Sequence, residues 1–244
     1  MSAFLPDTGI LAGFTAELGL LDGDWLAQAH GLQLFAERMT EGLGSPSIVG
    51  ELSMKPCCTG KQATAALTAF RELLAEGLDP EAATAINVFV PERYATMIDR
   101  PVGPNVHVSS FGHTRYQFGL AAFHAEGLFD AARTERVEDA RLDALMDKVT
   151  ISVDTSLETH MPRCWPARVE VTTPDGKRIK EVIAAPGDPD CRFDNAVLAE
   201  KFRALTDRLI GAAEADDWLQ AGAGALGDGA ELGRLAEKFD TLFA

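Results

Sequence analysis

Apolar residues recur at the spacing of α-helices towards both ends of the chain. Over residues 7–43 leucine and phenylalanine repeat at helical spacing, and glycine and proline follow, which predicts a helical N-terminal region. A second helical pattern covers 63–76, and Gly77 is placed as a C-terminal capping glycine. Further helices are predicted over 115–127 and, with an acidic sequence, over 137–147.

Strand patterns are confined to the middle of the chain. Apolar residues alternate over 86–90, and a short β-rich run covers 150–154. Two more β-rich runs within 167–184 flank Pro174-Asp175-Gly176, whose residues suit a tight reversal. These patterns predict a hairpin and an α+β region.

The C-terminal region is predicted to be helical again. Asp194 is placed to cap a helix, and the glycine-rich stretch 221–231 is interpreted as a flexible connector to a last short helix. The capped helix carries one apolar stripe, formed by Leu198, Phe202, Leu205 and Leu209. Such a stripe must be buried. The terminal helices therefore either pack on each other and on the α+β region, or complete a helical body that another chain supplies.

The pattern gives three parts: an N-terminal helical segment at 1–45, an α+β domain at 46–190, and C-terminal helices at 191–244. The composition, 46% hydrophobic and 24% charged, is that of a globular protein with a substantial core. No basic leader or membrane-length apolar run is visible, so a cytoplasmic protein is expected.

The formal net charge of -15 argues against nucleic acid or an anionic membrane as a partner. A small anionic substrate would need a local basic pocket. The candidates for that pocket are Lys55, Lys61, Arg93, Arg100 and Arg115.

The segment ELSMKPCCTGKQATAALTAF, residues 51–70, holds the densest candidate chemistry. It is not a Walker A phosphate loop, because Lys55 and Gln62 occupy two of the fixed positions. The helix start after Thr59 could receive an anion or could simply be capped. His107 and His113 flank a polar loop near Arg115, where they are either acid–base groups or surface histidines.

The four cysteines and five histidines lack the spacing of metal ligands. No CxxC pair occurs, so reduced thiols are expected. The sequence therefore predicts neither a metal site nor a cofactor.

Several segments together carry a family resemblance. These are the Lys55-Pro56-Cys57-Cys58 stretch, IDRPVGP, and ALMDKVTISVDTSLETHMPRCWPARVEVTTPDGKRIKEVIAAPGDPD followed by AEKFRAL. From about residue 5 to 210, their order resembles the second half of the MmgE/PrpD family, which includes 2-methylcitrate dehydratase and cis-aconitate decarboxylase. The resemblance implies an α+β lid domain with flanking helices that complete a helical domain. It also suggests a split enzyme, whose partner subunit carries the main helical body.

The resemblance implies a lyase that removes a proton next to a carboxylate and then releases water or carbon dioxide from a small di- or tricarboxylic acid. Lys55 matches the family lysine that reaches the active site, and His113 and Tyr94 are assigned to proton transfer. The residues expected to contact substrate are Lys61, Arg100, Arg115, Cys58 and Met97.

Two departures from the family pattern keep other functions open. A histidine usual a few residues past the lysine is replaced by Gly60, Gln62 or Thr64, and Met97 stands where a tyrosine is expected. The chain alone is therefore expected to be inactive. It is expected to work as part of a homo- or hetero-oligomer. The alternatives are a non-catalytic binding or scaffolding subunit, or an isomerase or epimerase of the same family.

Overall fold

The structure is a computed structural model that describes residues 42, 44, 51–100, 110–131, 133–225, 227 and 229–242. The chain divides into two compact units, Met1–Val49 and Gly50–Ala244, and the fold below is that of the second unit. The predicted helical region at 7–43, apart from Gly42, lies outside the described residues, as does His107, the candidate acid–base or surface histidine.

Within the described ranges the second unit forms seven α-helices and four β-strands. The α-helices are α1 (Thr64–Ala75), α2 (Glu92–Ile98), α3 (Thr114–Phe123), α4 (Ala140–Met146), α5 (Asn195–Ile210), α6 (Ala212–Gly224) and α7 (Gly229–Leu242). The β-strands are β1 (Ala85–Val90), β2 (Val149–Val153), β3 (Ala167–Thr173) and β4 (Gly176–Val182). Short 3-10 turns cover Lys61–Ala63, Ser110–Gly112, Ala125–Phe129 and Thr155–His160.

The four strands form one mixed sheet in the order β2-β1-β3-β4. Strand β1 pairs parallel with β2 and antiparallel with β3, and β3 pairs antiparallel with β4. The parallel pair requires a long connection, and helices α2, α3 and α4 lie along the chain between β1 and β2. Every second residue of β1 is buried, as expected of a strand with one face on the core.

Helices α1 and α3 supply much of the core beside this sheet. Phe70 of α1 stacks on Phe118 of α3 with ring centroids 4.4 Å apart, and both side chains are fully buried. Gly119 allows α4 to approach α3 closely, because a Cβ atom at that position would lie 2.5 Å from the Cγ atom of Leu142. The α+β fold class predicted from the sequence is confirmed.

The predicted helix ends and the predicted hairpin agree with the structure where a turn or capping residue marked them in the sequence. Gly77 follows α1 with φ of 85°, and the predicted hairpin is β3–β4, with Gly176 at φ of 131°. The Asp194 carboxylate accepts a hydrogen bond from the Val197 N–H at 2.8 Å, as predicted for a helix cap. The bounds of the connector predicted at 221–231 are wrong, because α6 continues to Gly224 and α7 begins at Gly229.

Helices α5 to α7 bury little apolar surface. No residue of α5 is fully buried, and Leu209 at its end is 72% exposed. Trp218 of α6 packs edge-on against Phe239 of α7, with centroids 4.8 Å apart. Among the helices that the structure describes, none has the length and apolarity needed to cross a lipid bilayer.

Candidate active site

The segment that carries Lys55 is an irregular loop, residues 51–60, called here the Lys55 loop. Backbone hydrogen bonds fix it to three distant parts of the chain. The N–H of Met54 donates to the Gly187 carbonyl at 2.8 Å, that of Cys58 to Leu128 at 2.9 Å, and that of Gly60 to Phe111 at 2.8 Å. The fold thus holds the loop at its middle and at its end.

Gly187 is placed closely against the loop. Its φ is 93°, and a Cβ atom there would lie 1.9 Å from the Met54 carbonyl oxygen and 2.7 Å from a ring carbon of Phe193. Only glycine adopts this conformation at low cost and leaves room for the carbonyl. The glycine of the GDP sequence is therefore required by the packing of the Lys55 loop.

The neighbouring Asp188 forms an ion pair with Lys61, just beyond the Lys55 loop. The side chain of Asp188 is almost fully buried, and its second oxygen accepts a hydrogen bond from the Ala185 N–H at 3.1 Å. Lys61 was predicted to contact substrate. The structure pairs its ammonium group with an internal carboxylate, and this pair ties the start of α1 to the loop after β4.

The side chain of Lys55 is exposed and has no hydrogen-bonded or ion-paired partner among the described residues. Its charge acts on the thiol of Cys57, as do the charges of Arg71 on α1 and Lys201 on α5. Three cations that lack a carboxylate partner in the described chain therefore act on the Cys57 thiol, in a protein of net charge -15.

Burial is the main influence on the pKa values of the two adjacent cysteine thiols. Desolvation raises the pKa of Cys57 to about 11, although Arg71, Lys201 and Lys55 act in the opposite direction. Burial also raises the pKa of the partly exposed Cys58, against the lowering effect of Arg133 and Lys201. Both thiols are therefore protonated at neutral pH, and Cys58 is suited to contact rather than to nucleophilic attack.

His113 and Arg115 lie together at the start of α3. The ring of His113 accepts a hydrogen bond from the Tyr116 N–H at 3.2 Å and caps the helix, while burial lowers the pKa of the imidazole. Arg115 forms two hydrogen bonds with Asp99, at 2.8 and 3.1 Å, and these bonds raise the pKa of its guanidinium. Both residues hold a helix start and its neighbouring loop in place.

Tyr94 is also engaged in internal contacts. Its hydroxyl donates to the Pro166 carbonyl at 2.6 Å, and its ring lies 5.2 Å from that of Trp165. Burial, with a further contribution from Glu158, raises the pKa of the phenol well above its ordinary range. Arg100 and Met97, by contrast, are exposed near the end of α2.

The predicted residues thus form two groups. The first contains Lys55, Cys58 and Lys61, and the second contains His113 and Arg115. The hydrogen bond from Gly60 to Phe111 joins the Lys55 loop to the turn before His113. Within the described residues, no cluster of three histidine, cysteine or acidic side chains could hold a metal ion.

Comparison with protein-family models identifies the family of this chain. The family model for the MmgE/PrpD C-terminal domain matches residues 56–223, more than half of the chain. The chain belongs to the MmgE/PrpD family. No curated protein matches it.

The MmgE/PrpD match begins one residue after Lys55 and extends to the end of α6. It therefore includes the complete sheet, the second group of predicted residues, Cys58 and Lys61 of the first group, and the Gly187-Asp188 pair, whereas Lys55 lies just outside it. The resemblance inferred from the sequence is confirmed at the level of the C-terminal domain.

The structure adds to this MmgE/PrpD domain a cleft that the sequence did not reveal. It has a volume of about 520 Å³ and lies between α1 and α5, where Arg71 and Lys201 contribute to its lining together with Pro56 of the Lys55 loop. In the sequence both cations occupy ordinary polar positions of amphipathic helices. Only the packing of α5 beside α1 shows that they belong to one site.

The burial of the thiols predicts an order of alkylation in this MmgE/PrpD domain. Under native conditions at pH 8, iodoacetamide should modify the exposed Cys191 first, then Cys58, and Cys57 and Cys164 last. Peptide mass spectrometry over time measures this order, and labelling in urea provides the unprotected control. Modification of Cys57 as fast as Cys191 would contradict the burial of the Lys55 loop.

Proposed function

We propose that this chain forms the substrate-holding lid of an MmgE/PrpD lyase that acts on a small di- or tricarboxylic acid. The observation that carries the proposal is Lys55, an exposed cation without an internal partner on a loop fixed by three backbone hydrogen bonds. An ammonium group on a fixed loop binds a carboxylate more tightly than an ammonium group on a mobile loop does, because less entropy is lost on binding.

In dehydration the proposed reaction starts with removal of a proton from the carbon next to a substrate carboxylate. The electron pair of the broken C–H bond forms a double bond, and the neighbouring hydroxyl leaves as water after taking up a proton. Decarboxylation starts instead with cleavage of the C–C bond to a carboxylate: carbon dioxide leaves, the electron pair of that bond stays on the carbon chain, and the chain takes up one proton. In either case Lys55 neutralises a carboxylate and stabilises the negative charge that develops beside it.

The proton acceptor is proposed to come from a partner chain. His113 and Tyr94, assigned to proton transfer from the sequence, both make internal hydrogen bonds here, and Arg115 is paired with Asp99. The partner would supply a helical body with the missing acid–base groups. Exposed apolar side chains on the C-terminal helices, Leu209 and Leu232 among them, support such a partner because they offer apolar surface for docking.

Because His113, Tyr94 and Arg115 all make internal contacts, a second candidate function is a binding subunit without catalytic activity. An isomerase or epimerase would need the same proton removal but no loss of water or carbon dioxide. The products distinguish these functions. A lyase yields an unsaturated or shortened acid, an epimerase yields a stereoisomer of equal mass, and a binding subunit yields neither.

The test uses the full chain co-purified with its partner from the native host, assayed against a panel of citrate-like and aconitate-like acids. Lys55→Ala should lower kcat/KM by about 100-fold or more, as expected when a charge-stabilising group is removed. Lys55→Arg should retain part of the activity if the charge is what matters, since arginine holds a carboxylate but does not release its proton. Arg178→Ala, which removes another exposed cation that belongs to neither group of predicted residues, is the matched control.

Unchanged turnover in Lys55→Ala would remove Lys55 from the mechanism. A wild-type complex that binds the acids but converts none of them would support the binding subunit.

A further inference from the structure

We infer that the cleft between α1 and α5 is a binding site for a monocarboxylate with an apolar body, such as an aryl-substituted or branched-chain acid. The inference does not depend on the proposed lyase reaction, although Pro56 of the Lys55 loop lines the cleft. Three observations carry the inference: the cations of the cleft, its apolar walls, and its size.

The cations of the cleft have no internal partner. Neither Arg71 nor Lys201 forms a hydrogen bond or an ion pair among the described residues. The sequence holds 37 acidic residues and only 22 lysines and arginines, so carboxylates are abundant. Most cations elsewhere in the described chain do contact an acidic side chain, as Arg115 contacts Asp99. Two cations that line one cleft and pair with no carboxylate of the described chain attract an anion.

Two acidic side chains, Glu72 and Glu200, also line the cleft and affect which anions it can bind. Glu72 is directed to the sheet, where its carboxylate lies 3.3 Å from the Lys180 ammonium. Glu200 is exposed and neighbours Lys201 in the sequence. Its charge opposes a second carboxylate in the cleft, so the site favours a ligand with a single negative charge.

The remaining lining of the cleft is mainly apolar. The rings of Phe129 and Phe193 and the ring of Pro56 form part of the walls. The volume of about 520 Å³ lies in the range of small-molecule sites, which combine apolar walls with a few polar groups that fix orientation. A polyacid without an apolar body would leave these walls in contact with water. The cleft therefore selects a different class of acid from the di- and tricarboxylates proposed for Lys55.

The test is calorimetric titration of the full chain with 3-phenylpropionate. We expect saturable binding of one molecule per chain, weakened about tenfold or more in the Arg71→Gln/Lys201→Gln double variant, which loses both charged donors. The neutral amide of the same acid should bind about tenfold more weakly for the same reason. Arg93→Gln/Lys148→Gln, which removes one exposed and one half-buried cation outside the cleft, is the matched control and should bind as the wild type does.

Glu200→Gln is expected to strengthen binding, whereas the Arg71→Gln/Lys201→Gln double variant weakens it. Removing its charge should tighten binding of 3-phenylpropionate about twofold to threefold, since exposed charge pairs interact weakly. Circular dichroism establishes that each variant is folded before titration. Binding that is equally tight in Arg71→Gln/Lys201→Gln, equally tight for the amide, or absent from the wild type would overturn the inference.

Discussion

Replacing Gly187 by alanine is expected to lower the free energy of unfolding by about 4 kcal/mol or more, at the upper end of single-residue effects. The methyl group would lie 1.9 Å from the Met54 carbonyl oxygen, and φ of 93° is itself unfavourable for alanine. The Met54 carbonyl is backbone and cannot rotate away, so the Lys55 loop must move. Urea denaturation followed by circular dichroism measures the loss.

Gly77→Ala is the matched control for this variant. Gly77 has a similar φ of 85°, but a Cβ atom there would meet no other atom within 4 Å. Alanine at Gly77 should therefore lose only the conformational part, about 1–2 kcal/mol. The difference between the two variants isolates the steric part. Equal losses would mean that Gly187 does not hold the Lys55 loop.

Displacement of the Lys55 loop also has a functional consequence under the lyase proposal. Movement of Met54 would move the neighbouring Lys55, and an error of about 1 Å in a substrate-holding group can lower a rate by about 100-fold. In the complex with its partner, Gly187→Ala should thus lose turnover at temperatures where it is still folded. Gly77→Ala should not.

The sequence predicts the elements of this fold well where the controlling residues are local. The β3–β4 hairpin was defined by Pro174-Asp175-Gly176, and α5 by the side chain of Asp194. Both signals act within a few residues of the element that they control. The order of strands in the sheet, β2-β1-β3-β4, depends on pairing between residues far apart in sequence, and it was not predicted.

The error at 221–231 has a local cause as well. Glycine lowers helix propensity by about 1 kcal/mol relative to alanine, so the glycines of this stretch indicated a connector. Helix α6 nevertheless contains Gly222 and Gly224, in an alanine-rich sequence whose Ala215 and Ala221 are buried. The packing of these alanines and of Trp218 against Phe239 outweighs the propensity of the glycines.

The candidate site was predictable in its residue types but not in its pairing. Lys55 and Cys58 do lie on one loop, as their positions in the sequence imply. Sequence spacing did not show that Lys61 would meet an aspartate 127 residues away, or that the Tyr94 hydroxyl would meet the Pro166 carbonyl. Arg71 and Lys201 were not found, because two helices distant in sequence bring them to one cleft.

The Lys61–Asp188 pair gives the second large effect. Lys61→Met should lower the free energy of unfolding by about 3 kcal/mol, because it leaves the buried Asp188 carboxylate without its cation. Asp188→Asn should lose less, since Lys61 is partly exposed and can turn towards water, and the asparagine oxygen can still accept from the Ala185 N–H. Urea denaturation at neutral pH measures both variants.

The double variant Lys61→Met/Asp188→Asn separates a structural role of Lys61 from the role in substrate binding predicted from the sequence. With no buried charge left unpaired, it should be more stable than Lys61→Met alone, although simple addition of the two losses would make it less stable. Additive losses would show that the two side chains do not stabilise each other. If the double variant regains stability and its complex also retains turnover, Lys61 serves to hold the loop. If stability returns but turnover stays low, the ammonium group of Lys61 also contacts substrate, and Asp188 then determines how far it reaches.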